Sequence, residues 1–488
     1  MKRTPNVVYI LADDMGYGDV SALNPEAAFQ TPNFDALAKN GVAFTDAHAS
    51  AAVCTPSRYS ILTGRYNWRS RLKSHVIGGF SPPLIEQGRA TVASLLKGRG
   101  YRTAAVGKWH LGMDFAKTHD FMEEEGFRHS PGVDYNQPIR NGPNAYGFDF
   151  FFGISASLDM PPYAYIENDR FTAVPDPNRV CGGKGKEFFR EGPCAPGFNH
   201  EQVLDVLTDR ALDILEELRE HPFFLYFALP APHTPIFPAP AFRGKSGTNA
   251  YGDFVLHCDY VVGRMRKKLR ELGIAENTLL VYTSDNGCSP MADFEELKAC
   301  GHNPSYIFRG VKADIYEGGH RVPLLMEWPG KIPKGKTCDR LVCLSDLMAT
   351  LADLLEIKLL DNQGEDSVSI LPLMKNPQAD EVRKDIVHQS IDGSLSIRRG
   401  CYKLALCPGS GGWSSPQPGQ EAQDAPHFQL FDLAQDVAER HNLLDLFPEM
   451  VQEMKQTLKT YLRQGRSTPG APQDHQGEAI WQTISWAE

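Results

Sequence analysis

Four short polar clusters in this sequence bring together carboxylate, amide, imidazole and ammonium groups. Asp13-Asp14, Lys108 with His110, His233, and Asp285-Asn286 each follow a compact apolar run. Asp13, Asp14, Asp285 and Asn286 offer only hard oxygen donors, which suit Ca²⁺ or Mg²⁺ and disfavour zinc. Ammonium and imidazole groups beside them would hold an anion and move protons. Each cluster alone has a plainer reading: Asp-Asp as a turn or helix cap, Asp285-Asn286-Gly287 as a turn, a lone histidine as a structural hydrogen-bond partner. Their joint occurrence favours one shared crevice. A fifth stretch, Cys54-Thr55-Pro56-Ser57-Arg58, offers a thiol. Pro56 is suited to open a helix, and a helix N-terminus with Arg58 nearby lowers a thiol's pKa. A buried thiol at a turn is the alternative.

The elements that must position these groups are legible from periodicity. Asn6–Ala12, Arg102–Val106, Phe223–Leu229 and Thr278–Ser284 are β-branched or aromatic runs of strand length. Glu201–Arg219 and Asp253–Leu272 place apolar residues at helical spacing, with basic residues near the end of the second. Strands alternating with helices predict an α/β fold with a large mixed, mainly parallel sheet flanked by helices. Ligands of such sheets bind outside the carboxyl ends of the strands, where the four clusters fall. Near Leu360–Gly364 the pattern changes to the short strand candidates Asp385–Gln389, Leu395–Arg398, Tyr402–Leu406 and Gln429–Asp432, then a helix from about Pro448 to Gln464. The predicted division is a catalytic domain over residues 1–360 and a smaller C-terminal α+β domain, with an antiparallel sheet, over residues 361–488. Asn168–Gly197 and Pro408–Pro426 read as surface excursions.

Composition narrows the function classes. The chain of 488 residues carries a net charge of −10, which argues against a general nucleic-acid binder. No apolar run approaches the length of a membrane span. The N-terminal apolar stretch ends at Asp13-Asp14 without a cleavage site, so the chain as written is cytoplasmic, or periplasmic or secreted if an export signal was removed. Ten cysteines are too dilute for a disulfide scaffold; Cys181/Cys194, Cys288/Cys300 and Cys401/Cys407 are the pairs open to an exported protein.

Cys54-Thr55-Pro56-Ser57-Arg58, followed by Leu62-Thr63-Gly64-Arg65, resembles the signature of the formylglycine-dependent type I sulfatases, arylsulfatase-like members of the alkaline phosphatase superfamily. The likeness extends along the chain. Asn6–Asp19 is similar to the family's opening strand and metal loop, and Gly107-Lys108-Trp109-His110-Leu111-Gly112 to its lysine–histidine element. Thr283-Ser284-Asp285-Asn286-Gly287 resembles the second metal loop. Gly310-Val311-Lys312, leading into Tyr316–Pro323, resembles the last active-site element, although Val311 and Asp314 depart from the usual small or hydroxyl residues. Leu430–Leu433 with Glu439 and Asn442-Leu443 is similar to the closing signature of the small domain.

The resemblance implies a sulfuric ester hydrolase in which Cys54 is oxidised to formylglycine by a separate maturation enzyme. Asp13, Asp14, Asp285 and Asn286 would then bind Ca²⁺, with Mg²⁺ as the alternative, together with residue 54. Arg58 would hold residue 54, and Lys108 and Lys312 would contact the sulfate. His233 would protonate the leaving alcohol, and His110 would serve as the base that releases sulfate. Ser157 aligns with a serine near the sulfate. Asp159, Arg309 and His320 are candidate substrate contacts, with His302 and His388 as further polar candidates, and ordinary packing groups are the competing reading for each. The implied substrate is a sulfated saccharide; relatives that hydrolyse phosphate diesters or phosphonate monoesters supply the alternative. Asp13, Asp14 and Asp285 would be neutralised by the cation, leaving a locally positive pocket within an acidic shell.

Overall fold

The computed structural model describes residues 4–118 and 132–488. Its frame is a ten-stranded mixed sheet. Eight strands carry labels: β1 (Asn6–Ala12), β2 (Val42–Phe44), β3 (Arg102–Lys108), β4 (Phe150–Ile154), β5 (Phe223–Ala228), β6 (Thr278–Ser284), β7 (Leu324–Glu327) and β8 (Lys336–Cys338). A short hairpin, Ile166–Glu167 with Arg170–Phe171, completes one edge. The order across the sheet is β8-β2-β7-β6-β1-β5-β3-β4 and then the hairpin. β6, β1, β5, β3 and β4 run parallel, and β7 is antiparallel to both β6 and β2. The large mixed, mainly parallel sheet is therefore as the periodicity predicts.

Burial on both faces explains the uninterrupted apolar strands. Val7, Tyr9 and Leu11 of β1 pack on one side with Tyr59, Ile61 and Leu62 of a helix described below. Val8 and Ile10 face the other side, against Leu207 and Leu215 of α3 (Val203–Leu218) and Val255 and Val262 of α4 (Ala250–Glu271). Two earlier helices, α1 (Pro32–Asn40) and α2 (Cys54–Thr63), flank opposite faces of the same sheet. Each buried Val, Leu or Ile contributes roughly 1.5–3 kcal/mol. Gly107 is required where β3 meets β5: its φ is 109°, and a Cβ there would lie 1.8 Å from the Ala228 carbonyl oxygen.

A second sheet is antiparallel throughout, with β9 (Asp385–Gln389), β10 (Leu395–Arg399), β11 (Tyr402–Ala405) and β12 (Gln429–Asp432) in sequence order. The amphipathic helix α5 (Pro448–Gln464) packs Met454, Leu458 and Leu462 against Ile397, Leu404 and Leu430. β9 is bonded to the segment preceding Cys54: Gln389 N donates to the Ser50 carbonyl at 3.0 Å, and Ala52 N to the Gln389 carbonyl at 2.9 Å. Beneath this seam lies a buried polar cluster. Arg398 grips both oxygens of Asp46 at 2.8 Å, Lys403 pairs with Glu439 at 2.8 Å, and the rings of His320 and His388 stack at 3.7 Å.

Cys288, Cys300, Cys401 and Cys407 carry free thiols, so neither of those two pairs is bridged. The side chain of Cys181 lies outside the described residues. Among the described residues, no helix is long and apolar enough to cross a membrane.

Candidate active site

Adjacent parallel strands end in step, which brings their polar clusters together. Ala12 of β1 lies opposite Ser284 of β6, and the Asp285 amide donates to the Ala12 carbonyl at 3.1 Å. On the other side the Asp13 amide donates to the Ala231 carbonyl at 2.9 Å. Asp14, in the left-handed conformation at φ 62°, turns the chain so that both neighbouring carboxylates enter the crevice. Asn286 donates from Nδ2 to Asp14 at 2.8 Å, while its buried Oδ1 has no partner among the described residues.

Cys54 is the first residue of α2, after Val53 in extended conformation, and is 2 % exposed. It therefore sits where unpaired helical N–H groups and the helix dipole favour negative charge. One turn on, Arg58 donates from Nε to Asp285 Oδ2 at 2.9 Å, and its Nη2 lies 2.7 Å from the same oxygen and 3.5 Å from Asp13. Lys108, delivered by the end of β3, donates to both oxygens of Asp13 at 2.8 and 2.7 Å and to Ser157 Oγ at 3.2 Å. Lys312 approaches Asp14 at 2.6 Å. Three buried carboxylates thus face three buried cations. Burial alone would raise the pKa of Asp13, but Lys108, His233 and Arg58 hold it well below the carboxylate range. Burial raises Asp285 despite the opposing pull of Arg58.

The two histidines differ in protonation. His233 Nδ1 lies 2.6 Å from the Thr234 carbonyl, which only accepts, so Nδ1 carries hydrogen and Nε2 faces Asp14 at 3.5 Å. Burial disfavours the imidazolium there, yet Asp14 and Asp13 raise its pKa to about 9. His110 is fully buried, and desolvation together with Lys108 pushes its pKa well below the usual value. Its Nε2 donates to the Ile77 carbonyl at 2.7 Å, which leaves the Nδ1 lone pair of a neutral ring without a partner among the described residues. The surroundings thus favour the charged form of one ring and the neutral form of the other.

Ligand atoms of Asp13, Asp14, Cys54 and His233 lie within 4.8 Å of one another. The unpartnered Asn286 Oδ1 and the concentration of carboxylate oxygens fit a hard divalent cation. Above this floor opens a cavity of about 890 Å³ whose base includes Cys54, His233 and Lys312. Its walls include Arg71, His75, Asp159, Arg190, Met291 and Trp413.

The sulfatase sequence model matches residues 5–357, and the matched span contains every group of this floor. The chain belongs to the sulfatase family. This sulfatase is a sulfuric ester hydrolase. It is 32% identical to the N-acetylgalactosamine-6-O-sulfatase of Bacteroides thetaiotaomicron, covering 94% of this chain and 93% of that protein. Human arylsulfatase A is 30% identical over 93% of this chain and 87% of its own length. A solved structure from a study of glycosaminoglycan metabolism by Bacteroides thetaiotaomicron superposes with a TM-score of 0.82 at 32% identity, covering 94% of this chain and 99% of that one.

The sulfatase site brings Asp13, Asp14, Cys54, Arg58, Lys108, His110, Ser157, His233, Asp285, Asn286 and Lys312 into one locality. Ser157 lies beneath the cavity wall, 3.4 Å from the His233 ring nitrogens. Asp159 lines the cavity and is bonded through Oδ2 to Arg190, while its buried Oδ1 is unpartnered among the described residues. Arg309 and His320 require correction, because neither lines the cavity. The Arg309 guanidinium lies 3.8 Å over the Tyr316 ring and donates to the Glu439 carbonyl at 2.6 Å. His320 is fully buried in the polar cluster between the sheets, against His48 and His388. His302 bonds Asp19 at 2.8 Å and packs on Phe29. Sequence reading missed Arg71, His75 and Trp413. They lie on loops without periodicity, and only the aromatic residue in the Gly/Pro/Ser-rich excursion was a signal.

Proposed function

We propose that this sulfatase removes sulfate from a sulfated saccharide, with an N-acetylgalactosamine 6-sulfate unit as the sugar. The observation that carries this reading is the floor of the cavity. Residue 54, two lysines and an acid–base pair of histidines converge there, beneath a chamber of the size that encloses a drug-sized ligand. The sugar follows from the name of the Bacteroides relative.

Asp13, Asp14, Asp285 and Asn286 would hold Ca²⁺, which supplies positive charge against the sulfuryl oxygens. Formylglycine, made from Cys54 by a maturation enzyme, supplies when hydrated one hydroxyl to attack sulfur and a second to let sulfate depart. Lys108 and Lys312 bind sulfate oxygens and offset the charge that grows on them. Arg58, locked on Asp285, keeps the first turn of α2 in place. His233, charged at neutral pH, hands its Nε2 proton to the departing sugar oxygen. The neutral ring of His110 takes a proton at Nδ1. Asp159 Oδ1 accepts a hydrogen bond from a sugar hydroxyl.

The experiment is turnover of N-acetylgalactosamine 6-sulfate, 4-nitrophenyl sulfate and a phenyl phosphonate ester by enzyme produced with a maturation enzyme. Peptide mass spectrometry verifies conversion of residue 54. Sulfate release from the sugar, lost in Cys54→Ala, is the expected result. Converted enzyme that cleaves the phosphonate but no sulfate would overturn the reading.

A further inference from the structure

Three large side chains that are unusually exposed for their type, Phe188, Met291 and Trp413, ring the mouth of the catalytic cavity. They arrive from three distant segments, so their meeting is a product of the fold. Met291 and Trp413 also border a second, open depression of about 560 Å³, whose other walls include Lys186, Phe294 and Ser414. The two side chains therefore form a ridge between the catalytic cavity and a neighbouring groove. Any chain attached to a sugar in the cavity and leaving on this side must cross that ridge.

The loop bearing Trp413 is built to be rigid. The backbone amides of Trp413 and Ser414 donate to Asp314 Oδ1 at 2.7 and 3.0 Å, and the Ser414 hydroxyl bonds the other oxygen of Asp314. The Ile315 amide donates to the Ser410 carbonyl at 2.7 Å. Gly412 packs so closely that a Cβ would lie 2.5 Å from the Ala313 backbone. The loop is thereby clamped to the segment that carries Lys312, whose Nζ lies 6.0 Å from the centre of the Trp413 ring. An indole 40 % exposed on an immobile loop is preorganised for a partner, because little freedom is left to lose on binding. The apolar C–H face of a pyranose is the surface that matches an aromatic ring and a thioether beside a polar groove.

We propose that the Trp413–Met291 ridge binds the sugar unit that follows the sulfated one, so that this enzyme prefers a sulfated oligosaccharide to the sulfated monosaccharide. This rests on the saccharide reading above. It adds a subsite at the mouth of the cavity, where Trp413 and Met291 border both the cavity and the neighbouring groove.

The test compares kcat/KM for N-acetylgalactosamine 6-sulfate with that for a trisaccharide bearing the same sugar at its non-reducing end. Wild-type enzyme should favour the trisaccharide by about ten-fold, the scale of one good stacking contact. Trp413→Ala should abolish most of that preference, the trisaccharide value falling several-fold more than the monosaccharide value, and Trp413→Phe should retain it. Met291→Ala should have a smaller effect in the same direction. In parallel, calorimetry with the desulfated trisaccharide measures the ridge without catalysis, and Trp413→Ala should weaken that binding. Equal losses on both substrates, or trisaccharide binding indifferent to Trp413→Ala, would overturn the proposal. Absence of sulfate turnover with trisaccharide binding intact and Trp413-dependent would instead remove the N-acetylgalactosamine 6-sulfate reading and leave the subsite.

Discussion

His388 offers a test of how the two sheets are joined. It lies on β9, fully buried, with Nδ1 3.2 Å from the Ser396 hydroxyl and Nε2 without a partner among the described residues. Burial, then His320, His48 and Lys403, push its pKa well below the ordinary value, against the weaker pull of Glu317. Arg398, Asp46 and Glu439 complete the surrounding charge. The folded chain therefore holds this ring neutral, whereas an unfolded histidine gains a proton below about pH 6.5. Because the unfolded state binds the extra proton, the contribution is fully present above that pH and is lost as pH falls. Between pH 7.5 and 5.0 one such histidine removes about 2 kcal/mol of stability. His388→Gln keeps a polar end near Ser396 but cannot take the proton. Urea unfolding of both proteins, followed by intrinsic fluorescence across this range, should show their stability difference moving by about 2 kcal/mol in favour of the variant at low pH. The remaining groups of the cluster are common to both proteins and cancel in the difference. Parallel pH dependence of wild type and variant would refute the reasoning.

Two further predictions concern the frame of the site. Gly107→Ala forces a methyl group into the Ala228 carbonyl at a positive φ, so it should lower the melting temperature by several degrees and depress turnover through the displaced Lys108. Asp366 accepts from Arg69 Nε and Nη2, both at 2.8 Å, in full burial beneath the small sheet. Asp366→Ala leaves that guanidinium uncompensated and should cost about 3–5 kcal/mol in chemical denaturation, with catalytic constants little changed in whatever fraction stays folded.

Particular elements show what was legible. Asn6–Ala12 and Thr278–Ser284 coincide with their predicted strands because each is a continuous apolar run ended by carboxylates. Pro448–Gln464 coincides because its apolar stripe opens on a proline and closes on Gly465. Val42–Phe44 and Leu324–Glu327 were not predicted, since three or four residues hold no period and their pairing partners are remote in sequence. The rule that parallel strands deliver ligands at their carboxyl ends grouped Asp13, Asp14, Lys108, His110, His233, Asp285 and Asn286, whereas Cys54, Arg58, Ser157 and Lys312 entered through the family resemblance. Arg309 and His320 misled because a polar residue near a motif looks the same whether it faces a cavity or the packing beneath it.

The order of residues by itself determined the four central parallel strands, the hard-oxygen donor set and the thiol at the start of a helix, since these depend on side-chain type and on spacing within one segment. Only the tertiary structure decided that Lys108 answers Asp13 and Arg58 answers Asp285, that one histidine is charged and another neutral, and that Trp413 stands at the cavity mouth. Those properties are set by what surrounds a group at a few ångströms. The surroundings come from segments 95 and 227 residues apart in sequence, whose meeting no local pattern records.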